Sequence, residues 1–172
     1  MEVSEAIKKR RSIRKFDPEK EVTDKQIEKL LEAARWAPSA GNLQSWFFVV
    51  VKDQKIKDKL VEAALGQDFI AEAPVIIVSC SDLERSATRY GNRGSSLYAI
   101  QDATIATQNL WLMATEMGLA SIWVGAFDED RVSQILNLPS HLRPIAIMPI
   151  GYPAESPLSP PRRSIKEISR KL

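Results

Sequence analysis

Histidine and cysteine are almost missing from this chain, and each scarcity removes a class of chemistry. His141 is the sole histidine among 172 residues, so a histidine metal cluster cannot form and a Ser-His-Asp triad has one conceivable base. His141 lies between Pro139 and Pro144, the setting of a solvated turn. Cys80 is the single cysteine, which excludes an internal disulfide and points to a reducing compartment. Glycine is sparse at seven residues, and neither a Gly-x-Gly-x-x-Gly after a strand nor a Gly-x-x-x-x-Gly-Lys occurs. The opening residues Met1–Glu5 lack the charged start and apolar run of a signal peptide. The expectation is a cytoplasmic protein. No side chain stands out as a catalytic acid, base or nucleophile, nor as a metal ligand. An enzyme of this composition needs a bound cofactor for its chemistry.

What is present is enough apolar residue for one cored domain: 44% of the chain, at a net charge of only +2. That balance, without a helix-turn-helix or an aromatic-basic signature, argues against nucleic acid as a partner. The residue periodicity predicts a helix at Val3–Ile7 and a polar loop over 11–22. A second helix opens on the capping box Thr23–Gln26 and ends at Pro38. Phe47–Val51, Pro74–Cys80, Leu119–Ala126 and Arg143–Tyr152 read as strands. Asp53 and Asp128 cap further helices, the first closed by Gly66. Residues 81–93 read as an exposed polar excursion carrying Arg85, Arg89 and Arg93. From Ser95 to Met117 neither glycine nor proline interrupts, predicting a helix on the order of 35 Å long. It is apolar nearly all round, so a second subunit is expected to cover it. Gln101, Asp102, Gln108 and Asn109 make it a poor membrane span. After Pro153 a proline-rich tail leads to a last short helix at Ser164. The fold class expected is α+β, a sheet with helices on both sides, in a single domain over 1–172.

Two arginine clusters and one loop concentrate the chemistry. Arg10, Arg11 and Arg14 flank Ser12, while Arg162 and Arg163 follow the proline run. Guanidinium forks suit phosphate, although most charge runs are solvated surface. The loop Pro38-Ser39-Ala40-Gly41-Asn42-Leu43-Gln44-Ser45-Trp46 sets amides and hydroxyls just before a strand.

Arg10–Phe16 and Pro38–Trp46 resemble the two opening motifs of the FMN-dependent nitroreductase family. Tyr98–Ala103, Gly118–Gly125 and Gly151–Pro153 with Arg163 agree in order and spacing, so the resemblance covers nearly the whole chain. It implies an intertwined homodimer around a central mixed, mostly antiparallel sheet, with residues 153–172 wrapping the partner. It implies that Arg10, Arg11, Ser12 and Arg14 hold the FMN phosphate and the polar flavin edge. Pro38, Ser39, Ala40, Asn42 and Gln44 would come from the other subunit. Backbone around Trp123, Val124 and Gly125 would approach the ring, Gln67 would be a further contact, and Arg163 with Arg162 would complete the phosphate site. NADH or NADPH would be the reductant, and an electron-poor small molecule such as a nitroaromatic or quinone the acceptor, in ping-pong turnover. A flavin-binding protein without that turnover, or a relative that consumes its flavin, is the alternative. Ser45 stands where many members have proline, and Pro161 where many carry a basic residue.

Overall fold

The computed structural model describes residues 1–172. Its centre is a four-stranded sheet in the order β1-β2-β4-β3, formed by β1 (Trp46–Val51), β2 (Val75–Asp82), β3 (Ala120–Ser121) and β4 (Leu142–Gly151). Every pairing between these strands is antiparallel. A parallel bridge between Ser12 and Ser121 adds a line beyond β3, so the sheet is mixed at that edge. β2 is buried from Val75 to Ser81, the central position that its apolar start, Val75–Val78, requires.

Side chains alternate across β2, and the alternation builds two cores. Val75 and Ile77 face α2 (Asp24–Arg35) and α6 (Ala99–Glu116), meeting Leu30, Leu110 and Trp111. Ile76 and Val78 face α3 (Gln54–Ala63), α4 (Phe69–Glu72) and α7 (Glu129–Ile135), meeting Leu60, Ile70 and Val132. Burying one such side chain contributes about 1.5–3 kcal/mol. α1 (Val3–Lys9) lies against α6, and α8 (Ile165–Ile168) closes the chain. The Thr23–Gln26 capping box forms, with Thr23 Oγ1 accepting the Gln26 N–H at 3.3 Å. Thr23→Ala is expected to cost about 1 kcal/mol in urea unfolding.

Three expectations need correction. Residues 81–93 are mostly helical: α5 (Leu83–Arg93) is capped by Asp82, whose carboxylate accepts the Arg85 N–H at 2.9 Å. The chain then passes through one π turn, Gly94–Tyr98, so α6 begins at Ala99 rather than Ser95. The third strand is two residues long, with only a bridge from Val124 to Ile147 beyond it. α6 is expected to be covered by a second subunit, and the single chain leaves part of it open. The helix buries Ala103, Ala106, Leu110 and Ala114 but leaves a stripe of Gln101, Thr104, Ile105 and Gln108 exposed on the single chain. No helix is long and apolar enough to cross a membrane.

Candidate functional site

The N-terminal arginines and the region around β3 meet because the chain after α1 runs beside that short strand. The Ile13 N–H donates to the Ser121 carbonyl at 3.1 Å, which sets Ser12 against Ser121. The Ser121 hydroxyl is buried with no partner in the chain. Arg10, just upstream, lies over the Trp111 ring at 4.3 Å. Burial chiefly, then the positive charges of Arg162 and Arg11, hold its guanidinium below the usual arginine value. No acid pairs with Arg10, Arg11 or Arg162. A cleft of about 280 Å³ opens here between Arg10, Arg11, Thr115, Ala120 and Ser156. Lys9 and the Glu155 carboxylate line the same cleft, so the cations outnumber the acid there, and that excess beside an orphaned hydroxyl favours a bound anion.

Arg14 points elsewhere, over the Phe69 ring at 5.9 Å. Its own N–H, and that of Lys15, donate to the Glu155 carboxylate at 2.5 and 3.2 Å. Gln67 approaches the same neighbourhood, its Nε2 donating to the carbonyls of Ala64 at 2.8 Å and Ala126 at 3.1 Å. Gln67 thus lies beside Ala126, next in sequence to Gly125, and Arg14 lies beside Phe69, two residues after Gln67. The Val124 N–H and C=O are both engaged with Ile147, at 3.1 and 3.0 Å. The free donors on this stretch are the N–H groups of Trp123 and Gly125, which find no acceptor within the chain. Arg162 is the tail arginine felt at Arg10, whereas Arg163 turns its Nη2 to the Glu167 carbonyl at 2.7 Å.

The loop Pro38–Gln44 sits apart from this face. Gly41, Asn42 and Gln44 all take positive φ, at 57°, 57° and 53°. Non-glycine residues hold that conformation only when their surroundings over-determine it. Here Asp102 does so: its Oδ1 accepts the Ala40 N–H at 3.0 Å and its Oδ2 accepts the Ser45 hydroxyl at 2.5 Å. Ser39 Oγ accepts the Gln44 N–H at 2.9 Å, closing the turn. Ser45 is therefore fully buried as a loop anchor, a use that proline could not serve. Asp102 stands near the start of α6 and Thr115, on the arginine cleft, near its end. Thirteen residues at 1.5 Å separate them by roughly 20 Å along the axis. Within one chain the loop and the arginine face occupy opposite ends of α6.

Glu155 and Trp111 carried no local sign of their place at this site, because both reach it through long-range packing. Cys80 takes no part: burial pushes its thiol up to about 12. The folded protein should stay unreactive to a disulfide reagent at pH 8 and react fully once unfolded in urea.

The sequence matches the nitroreductase family over residues 7–67 and 63–152. The chain belongs to the nitroreductase family. A relative from Methanothermobacter thermautotrophicus is 38% identical over 163 residues, covering 91% of this chain and 80% of that one. An FMN reductase (NAD(P)H) of Bacillus subtilis is 30% identical over 174 residues, covering 94% and 70%. Among solved structures, the NADPH:FMN oxidoreductase of Vibrio harveyi, complexed with NAD+, superposes with a TM-score of 0.90 at 28% identity. That superposition covers 98% of this chain and 76% of the other.

Proposed function

We propose that this nitroreductase-family chain is an NAD(P)H-dependent flavin oxidoreductase that works as a homodimer. FMN would lie between the arginine face of one subunit and the loop Pro38–Gln44 of the partner subunit. The observation that carries this reading is Arg10, a half-buried guanidinium among further guanidinium groups and with no acid paired to it. A phosphate ester supplies the missing countercharge. Arg10, Arg11, Ser12 and Arg162 would hold that phosphate, with Arg163 less directly placed. Arg14 and Gln67 would face the polar edge of the ring system, where a positive charge stabilises added electron density. The free N–H groups of Trp123 and Gly125 would orient the ring, while Val124 fixes the segment to β4.

FMN, when bound, supplies hydride chemistry between the nicotinamide donor and an electron-poor small-molecule acceptor, such as a nitroaromatic or quinone. The chain's part is to bind, orient and exclude water. Because a single open face serves donor and acceptor in turn, turnover should be ping-pong.

The dimer is supported by what the single chain leaves uncovered. Ile105 is 41% exposed on the α6 stripe, with Val3 at 71% on α1. The tail beyond Glu155 is exposed throughout, Leu158 at 93% and Ile165 at 74%. Exposed apolar side chains on this scale mark an interface. Pairing α6 antiparallel to its twin about a two-fold axis would bring the loop end of one helix to the arginine end of the other. In this reading residues 1–172 are one unit, with 153–172 an arm laid over the partner.

The test is anaerobic addition of NADH or NADPH to the purified, FMN-loaded protein. Loss of the visible flavin absorbance, restored by a nitroaromatic or quinone, is expected. Absorbance that persists under both donors would overturn the reductase reading.

A further inference from the structure

The roles above leave unused the arginine-rich segment that follows β2. Between Arg85 and Tyr98 the chain carries three arginines and no acid. None of the three enters an ion pair. Arg85 is tied down, its Nε donating to the Leu43 carbonyl. Arg89 lies over the Tyr90 ring at 5.6 Å, and Arg93 over the Tyr98 ring at 5.3 Å. Arg93 Nε also donates to Tyr98 Oη at 2.9 Å, and the two tyrosine rings meet edge to face at 5.1 Å. A reversal builds this cluster. Gly91 takes a φ of 54°, and Gly94 packs so closely on Ser86 that a Cβ there would lie 2.7 Å from the Ser86 carbonyl carbon.

The cluster leans on the loop assigned to the flavin. A Cβ on Gly41 would lie 2.7 Å from Tyr90 Oη and 2.8 Å from Arg89 Nη1. Arg89 and Tyr90 thus share a wall with Asn42 and Gln44, and the loop from Ala37 to Trp46 brings no charge of its own. Two guanidinium forks held over aromatic faces, exposed and unpaired, match a phosphate monoester beside a flat base. A nicotinamide dinucleotide whose reactive end lies at the flavin carries such a group at its far end only when 2′-phosphorylated.

We infer that Arg89 and Arg93 bind the 2′-phosphate of the reductant, so that the enzyme prefers NADPH to NADH. The inference rests on the reductase reading for the identity of the ligand. Neutralising a phosphate with two forks should favour the phosphorylated form by about tenfold or more, and less in high salt.

The test is calorimetric titration of the FMN-loaded protein with 2′,5′-ADP and with 5′-AMP at low ionic strength. Tighter binding of 2′,5′-ADP by about tenfold is expected, and loss of that difference in Arg89→Ala and Arg93→Ala, with thermal midpoint and flavin absorbance retained. The ratio of KM for NADPH and NADH should shift in parallel. Equal affinity of the wild type for the two nucleotides, or a preference that survives both substitutions, would overturn the assignment. So would a rise in KM confined to an anionic acceptor such as 4-nitrobenzoate. If FMN is not taken up, the reductase reading fails by itself. Discrimination between the nucleotides is still read on the same chain and decides the arginine assignment separately.

Discussion

Arg10→Ala is expected to weaken FMN binding by about 1.5–3 kcal/mol, the range for a hydrogen bond to a charged group. That is more than tenfold in dissociation constant, measurable by flavin fluorescence titration. Stability should hardly move. Arg10 has no acid to leave unpaired, and its removal relieves repulsion from Arg11 and Arg162 while giving up one contact with Trp111. A variant with normal melting and weak flavin binding would therefore separate binding from folding. Arg162→Ala should act in the same direction, since Arg162 is the tail arginine that Arg10 feels. If Arg10→Ala binds FMN as the wild type does, the phosphate lies elsewhere.

Asp102→Ala is expected to behave differently, lowering stability and flavin affinity together. The side chain is buried and satisfies two donors, the Ala40 N–H and the Ser45 hydroxyl. The buried Ser45 hydroxyl left without a partner costs roughly 1–3 kcal/mol and the part-buried Ala40 N–H less, so about 2–3 kcal/mol is expected by urea unfolding. For a domain whose whole stability is on the order of 5–15 kcal/mol, that is a large share. Flavin affinity falls because Asn42 and Gln44 lose the support that holds their positive φ. Asp102→Asn keeps one carbonyl acceptor and should fall between the two. An Asp102→Ala protein with unchanged unfolding would show that the loop is held by something other than this pair of hydrogen bonds.

The parts of the fold that were legible in the sequence are those where one local signal suffices. Val75–Val78 and Ile145–Met148 are apolar runs, and a strand buried on both faces produces that pattern. Thr23 and Gln26 announce α2 because a capping box uses neighbours in sequence. α5 was hidden because it is short, polar and interrupted by Gly91, whose positive φ also breaks the helical pattern. Only Asp82, as a cap, could have announced it. The third strand is short because, beyond Ser121, only Val124 bonds to β4. The arginine clusters were legible as clusters, but their approach in space, with the Arg162 charge felt at Arg10, was not. Which tail arginine turns to Arg10 was not legible, since it depends on how Arg163 satisfies the Glu167 carbonyl. Asp102 was visible as an outlying acid on an apolar helix, but only packing shows that it anchors Ser45.

A two-subunit site makes a sharper demand than flavin binding alone. On the proposed arrangement, Arg10→Ala would disable one half of the site and Gln44→Ala, on the loop, the other. In a mixed dimer of the two variants, both lesions fall in one site and the second site is wild type in both halves. Neither variant alone has an intact site. The decisive measurement is FMN stoichiometry by absorbance after the two variants are unfolded together, refolded and purified as the mixed dimer. High-affinity binding should return at one FMN per mixed dimer. Failure to return, with the mixed dimer formed and folded, would contradict a site shared between subunits.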